Sequence, residues 1–321
     1  MKKKILFSTI QGGLDYLNDG VFHGLHQLGE FEVTDAPKMW FMYRNEFEPY
    51  GPRRLTDLYG RGFTMWGHME EDPGIDRNNI EQKIIDHYFD LVIVGRPELP
   101  IPYLGLIMQH YKEHEIITLS GSDHVHILPP YGQSTFFIRN FTDRVVDNIH
   151  PAGWSGPPFD VRTVSTVSFG FPKQKIQTAL TKVRPWSDVL PLSTGGPGYI
   201  YNNEQEYYDD YRRSLFGKTK KKGGWDCMRH YEIMACRCIP YFEDLADAPV
   251  DAMKTLPREL LLHVKNRVDQ QGADYFMPGQ PGWEEYQELE QKIFDHFLAN
   301  CTTDSLARYV LDTHQNRIQN R

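Results

Sequence analysis

Residues 214–240 read SLFGKTKKKGGWDCMRHYEIMACRCIP. Ser214 to Lys218 suits a short strand; a lysine-rich turn closed by Gly223-Gly224 follows, then a helical stretch from Cys227 to Ala235 and a second strand from Cys238 to Phe242. Strand, basic glycine turn, helix and strand make one unit of a parallel sheet. Asp226 suits the N-cap of the helix, and the glycine pair lets a ligand approach the free amides of the helix start, which form an anion site. Lys218, Lys220 to Lys222 and Arg229 gather positive charge around that point in a chain of net charge -8. A diphosphate fits such a place. Glu232 follows Arg229 by one helical turn, where a carboxylate can accept two hydroxyl hydrogens from a ribose.

The same alternation extends to both sides. The first fifty residues read strand (Lys4 to Ile10), glycine turn (Gly12-Gly13), helix (about Gly20 to Leu28) and strand (Phe31 to Thr34). After a loop-rich insert, Met39 to Gly74, come helix Asn79 to His87, strand Asp90 to Gly95, helix Tyr103 to His114 and strand Glu115 to Leu119. Further on, strand Arg162 to Ser168, helix Pro172 to Leu180, strand Asp188 to Leu192 and helix Glu204 to Arg213 are expected. The pattern predicts an α/β fold with parallel, doubly wound sheets. From Trp283 onward the spacing of Tyr286, Leu289, Ile293 and Phe297 is helical, and after a break at Cys301 a last helix carries Leu306, Tyr309 and Val310, with Asp304 as its cap.

With 321 residues the chain suits two domains, and the Pro- and Gly-dense stretch 150–160 marks the junction. The expected division is residues 1–160, residues 161–300 and a closing segment, residues 301–321. Hydrophobic residues make up 40% and charged residues 24%, the composition of a chain able to bury a large core. The acidic net charge argues against nucleic acid as a partner, since phosphate binding needs a surplus of Lys and Arg. No stretch approaches the 18 or so apolar residues of a membrane span, so a cytoplasmic location is expected. Cys227, His230, Cys236 and Cys238 crowd together but lack the paired spacing of zinc modules, and no metal site is assigned.

Around Arg229 the chain resembles the GT-B superfamily of glycosyltransferases, within it the exostosin-like and group 1 bacterial and viral enzymes. Their segment Arg-x-x-Glu-(apolar)-x-Ala-x-x-Cys-Ile-Pro is matched in order by Arg229, Glu232, Ala235, Cys238, Ile239 and Pro240. The opening segment, with Asp15-Tyr16, Asp19 and Phe22-His23-Gly24-Leu25, also looks like the first β-α unit of such enzymes. The resemblance implies two Rossmann-like domains facing across a cleft, an acceptor domain first and a nucleotide-sugar domain second, with a C-terminal helix returning to the first. It implies an enzyme that moves a hexosyl or pentosyl group from a nucleotide sugar to a hydroxyl of a glycan or glycoconjugate. The donor site would comprise Arg184, Gly224, Asp226, Arg229 and Glu232, with Arg184 holding a phosphate from just before a strand. Retaining members often carry two glutamates eight positions apart; the position eight before Glu232 is Gly224, which favours inversion.

Inversion needs a base near the acceptor hydroxyl, facing the donor from the first domain. Asp15, Asp19, Asp123 and His124 follow strands of that domain, and Asp15 and then Asp123 are the expected catalytic residues. Asp15 equally suits a plain helix cap. No cofactor and no divalent metal is expected, since Asp209-Asp210, the nearest approach to an Asp-x-Asp motif, reads as solvent-facing. The plain alternative for Arg229 and Glu232 is an i, i+3 ion pair, and Lys220 to Lys222 read as a solvated loop outside the site. The insert aromatics, Trp40 to Trp66, suit either a core edge or stacking on sugar rings. Two other activities share this sequence logic: a nucleotide-sugar epimerase of the same fold, and a silent sugar-binding protein.

Overall fold

A computed structural model describes residues 2–71, 74–97, 99–123, 134–139, 164–191 and 200–319. The expected junction at 150–160, His124, and the outer ends of the expected strands at 162–163 and 192 lie outside these. Six strands, β1 (Lys3–Ser8), β2 (Phe31–Asp35), β3 (Leu91–Gly95), β4 (Ile116–Ser120), β5 (Thr135–Ile138) and β6 (Val164–Thr166), form one parallel sheet in the order β2-β1-β3-β4-β5-β6. The inner strands read as near-continuous apolar runs because both faces are covered. Ile5, Phe7, Ile93 and Ile117 point into the larger core, while Leu6, Val92, Val94 and Ile116 point to the opposite face. That second face packs under α2 (Ile80–Ile85) and α3 (Leu104–His110) through Ile80, Ile84 and Ile107.

The other face carries α1 (Tyr16–Leu28), which starts earlier than its apolar spacing suggests. Asp15 caps it, accepting from Leu17 N and Asn18 N, and Gly29 ends it with φ 66°, a left-handed stop that favours glycine. A second parallel sheet, β7 (Arg184–Trp186), β8 (Ser214–Thr219) and β9 (Ile239–Phe242), takes α4 (Glu204–Arg213) before β8 and α5 (Met228–Ala235) after it. The larger core cluster runs without a break from Ile5 and Phe7 of the first sheet to Phe216 and Ile239 of the second.

Three helices close the chain: α6 (Arg258–Gln271), α7 (Trp283–Asn300) and α8 (Thr303–Gln319). The last returns to the six-stranded sheet. It lies so close to α1 that a Cβ on Gly24 would fall 1.9 Å from Thr303 O. His314 Nδ1 is 2.8 Å from Thr135 Oγ1 on β5, and the Tyr309 hydroxyl donates to Thr166 O on β6.

Two expected elements are displaced. In place of a helix from Pro172 to Leu180 there is a single 3-10 turn, Lys173–Lys175, because Gln177 N donates to Ala235 O and so leaves no helical ladder. The strand expected at 188–192 is instead β7, since Asp188 N turns out of the sheet to the Asp210 carboxylate. The α6 helix and strand β5 were not anticipated.

Candidate functional site

The strand order reverses between β1 and β3, and open parallel sheets form their ligand crevice at the carboxyl ends of the strands at such a point. A cavity of about 630 Å³ opens there. One wall comes from the loops after β1, β3 and β4: Leu14, Asp15, Tyr16, Arg96 and Gly121 to Asp123. The facing wall is the turn between β8 and α5, with Lys222, Gly223, Gly224, Asp226, Cys227 and Met228. A smaller recess of about 40 Å³ shares Tyr16, Tyr59, Lys222, Cys227 and Met228 with it and ends on Arg229 and Glu232.

Arg229 is 5% exposed, and its Nε and Nη1 have no hydrogen-bond partner among the described residues. A buried guanidinium left without an acceptor is costly, so the recess is built for an anion or for water. Glu232 is buried beside it, but the two form no ion pair within 4.0 Å. The plain i, i+3 pair is therefore not what these residues make. Glu232 Oε1 instead accepts from Thr64 Oγ1 at 2.7 Å and Oε2 from the Tyr207 hydroxyl at 2.6 Å. Burial raises the Glu232 pKa, against the pull of those two hydrogen bonds and of Arg229. Thr64 holds its place with φ 72°, strained for a β-branched residue, and also meets the Tyr208 hydroxyl at 2.7 Å.

Asp226 does not cap α5. The cap position is Cys227, with no side-chain bond, while the Asp226 carboxylate turns inward to accept Phe169 N at 2.8 Å and the Tyr231 hydroxyl at 2.9 Å. Burial pushes its pKa up to about 6, with Arg139, Phe169 N–H and Tyr231 opposing. The start of α5 is thus free of a side-chain cap, as an anion site requires. Gly223 is needed for a different reason from an unusual backbone angle: a Cβ there would lie 2.5 Å from Asp123 Oδ2, across the cavity. Gly224 is buried in the same wall.

Arg184 is not part of this site. It lines neither cavity, and its guanidinium is taken up by Asp210, Asp188 and Ser214 Oγ, which knit β7 to α4. Asp210 is buried there, accepting also from Tyr201, so the solvent-facing expectation for it fails. Lys222, in contrast, lines both cavities, and burial followed by the nearby Arg229 lowers its pKa. Of the three lysines read as a solvated loop outside the site, Lys220 is half-buried and Lys221 is exposed over the Trp225 ring, while Lys222, also exposed, lines both cavities.

On the opposite wall both cap bonds to Asp15 use Oδ1, and no hydrogen bond from the described residues reaches Oδ2. Asp15 is a cap and a cavity residue at once. Asp123 is committed to Arg139, a buried residue whose guanidinium also reaches Gly121 O and Asp226 O and lies 4.6 Å from the Phe169 ring centroid. Arg139 thereby ties the two walls together; no spacing pattern around it announced that role. Asp19 is fully buried and does not line the cavity.

His230 spends both ring nitrogens, Nδ1 against Thr219 Oγ1 and Nε2 on Trp225 O, each at 3.0 Å. Burial lowers its pKa to about 3. No group of three His, Cys, Asp or Glu among the described residues is placed to hold a metal ion, and no helix among them is long and apolar enough to cross a membrane. Neither a protein-family model nor a curated protein sequence matches this chain.

Proposed function

We propose that this chain is a glycosyltransferase that moves a sugar from a nucleoside-diphosphate sugar to the hydroxyl of a glycan or glycoconjugate, with inversion and without a divalent metal. The observation that carries this reading is Arg229, a buried guanidinium with two nitrogens unpartnered among the described residues, at the end of a recess that shares Lys222 and the uncapped start of α5 with the larger cavity lined by Gly224. Two lysine and arginine charges with helix amides suit a diphosphate leaving group and can neutralise it as the bond breaks. Glu232 keeps lone pairs on both oxygens beyond those used by Thr64 and Tyr207, enough to meet ribose hydroxyls.

Two parallel sheets, a cavity reached from the loops of both, and a last helix that returns to the first sheet support the GT-B arrangement. In the reaction the acceptor oxygen attacks the anomeric carbon from the first wall. The bond from that carbon to the diphosphate breaks with its electron pair leaving on phosphate oxygen, and the acceptor proton passes to a carboxylate. Asp15, with Oδ2 unengaged, suits that role better than Asp123, which Arg139 already holds.

A thermal-shift panel of nucleoside-diphosphate sugars tests the proposal, because a ligand that binds the folded state raises its apparent stability. One nucleotide sugar is expected to raise the Tm, to be hydrolysed slowly to free sugar and nucleotide, and to be unaffected by EDTA. Interconversion of the sugar without nucleotide release would mean an epimerase. Stabilisation by none of the panel would overturn the reading.

A further inference from the structure

The chain has four cysteines, and the fold sets one of them apart. Cys236, Cys238 and Cys301 are buried, and burial raises all three thiols, that of Cys238 to about 12. Cys238 and Cys301 also donate their S–H to Leu215 O and Thr255 O. Thiols enclosed in this way are inert. Cys227 is half-buried, holds the cap position of α5 without a side-chain bond to the helix amides, and lines both cavities.

A second, independent feature marks the same place as one that receives a ligand. Arg229, two residues on, is buried with Nε and Nη1 unpartnered among the described residues, and it ends the recess that Cys227 and Lys222 also line. The nearby carboxylates are engaged elsewhere: Glu232 by Thr64 and Tyr207, Asp226 by Phe169 N and Tyr231. Across the cavity Asp123 is held by Arg139, and Asp15 lies on the far wall. An anion that reaches the Cys227 sulfur therefore meets the helix start, Lys222 and Arg229 first. The adjoining cavity of about 630 Å³ falls within the roughly 300 to 1,000 Å³ of small-molecule sites, which leaves room for a tripeptide.

We propose that Cys227 is a site of reversible modification by an anionic low-molecular-weight disulfide of the glutathione class, and that the adduct closes the recess to the diphosphate. The Cys227 thiolate attacks one sulfur of the disulfide. A new S–S bond forms, the old one breaks, and its electron pair leaves on the second glutathione sulfur, which takes up the proton that Cys227 released to solvent. Cys227 is oxidised and the departing sulfur is reduced, with glutathione disulfide as the oxidant. The carboxylates of the attached tripeptide then occupy the anion positions beside Lys222 and Arg229. The closure rests on the diphosphate reading of the recess; the modification itself does not.

The experiment treats the full chain with glutathione disulfide, neutral hydroxyethyl disulfide and cationic cystamine, and locates adducts by peptide mass spectrometry. The urea-unfolded chain, read at the same peptide, gives the intrinsic reactivity. One reversible adduct is expected, on Cys227, absent in Cys227→Ala and removed by dithiothreitol. Relative to the unfolded chain, the folded protein should favour glutathione disulfide over cystamine about tenfold, a preference that Arg229→Ala reduces. Pyrophosphate should slow the reaction. Nucleoside diphosphates should bind the singly modified protein about tenfold or more weakly, with recovery on reduction. An adduct formed first on another cysteine, no charge preference, no protection by pyrophosphate, or unchanged nucleotide affinity in the modified protein would each overturn the proposal. If the unmodified protein bound no nucleoside diphosphate, the glycosyltransferase reading would fall instead, and charge preference with pyrophosphate protection would decide the modification site alone.

Discussion

Asp226 has both carboxylate oxygens occupied, by Phe169 N–H and the Tyr231 hydroxyl, and burial raises its pKa from 3.8 to about 6. Between about pH 4 and pH 6 the folded chain keeps a proton that the unfolded chain has released, so this residue's contribution to stability falls as the pH rises through that window. Two pKa units correspond to about 3 kcal/mol. Asp226→Asn has no such slope, and the Tyr231 hydroxyl can turn from donor to acceptor toward the amide. Urea unfolding of the two proteins should show the variant gaining about 3 kcal/mol on the wild type from about pH 4 to pH 7. The lowered pKa values of His23 and His230 act equally in both proteins and cancel in the difference. A difference that stays flat with pH would contradict the assignment. At the opposite wall, Asp15→Asn is expected to lower turnover by about 10² to 10⁴ with little change in donor affinity, whereas Asp123→Asn should mainly loosen Arg139. Kinetics of both variants side by side checks this, and equal turnover in Asp15→Asn would remove it as the base. Arg229, Glu232 and Gly224 could be found from the sequence because a glycine turn and a helix fix their spacing. Arg139, Tyr207 and Thr64 could not, since each reaches the site from a distant element; Asp226 lines the cavity without the expected capping role, and Arg184 lies away from it, because both side chains are engaged by groups distant in sequence.

The α1–α8 packing depends on a missing side chain. A Cβ on Gly24 would fall 1.9 Å from Thr303 O and 2.8 Å from Ala307 Cβ, so Gly24→Ala must push two helices apart and should cost about 3 kcal/mol. Gly105 in α3 has nothing within 4 Å of the same position, and Gly105→Ala should stabilise by roughly 0.5 to 1 kcal/mol through helix propensity. Denaturant unfolding of both variants checks the pair, and a neutral Gly24→Ala would show that the helices are not in close contact. The helices α4 and α7 were legible because the period of their own side chains sets the face they bury, and β1 and β3 because each is a short continuous apolar run buried on both faces. The four-residue β5, Thr-Phe-Phe-Ile, has no period to read and becomes a strand by pairing with β4. The α6 helix carries an apolar stripe, Leu261, Val264 and Val268, but starts after Pro257 with no side-chain cap bond to mark it.

Across the whole molecule the parallel order β2-β1-β3-β4-β5-β6 puts the reversal at β1 and β3, while Arg139 and the Thr64–Glu232 bond join that sheet's loops to the second sheet's helices. The sequence announced two alternating α/β stretches and the return of the last helix. It did not announce that the insert around Thr64 reaches into the donor side, because its residues lack any regular period and their partners are more than a hundred positions away. On the proposed function the diphosphate lies against Arg229 and not against Arg184. Isothermal titration of nucleoside diphosphates into the wild-type protein, Arg229→Ala and Arg184→Ala tests it most directly. Arg229→Ala should bind about ten- to a hundredfold more weakly, as the loss of a charged hydrogen bond requires, and Arg184→Ala should bind as the wild type does. Equal affinity in Arg229→Ala, or a loss confined to Arg184→Ala, would contradict the account.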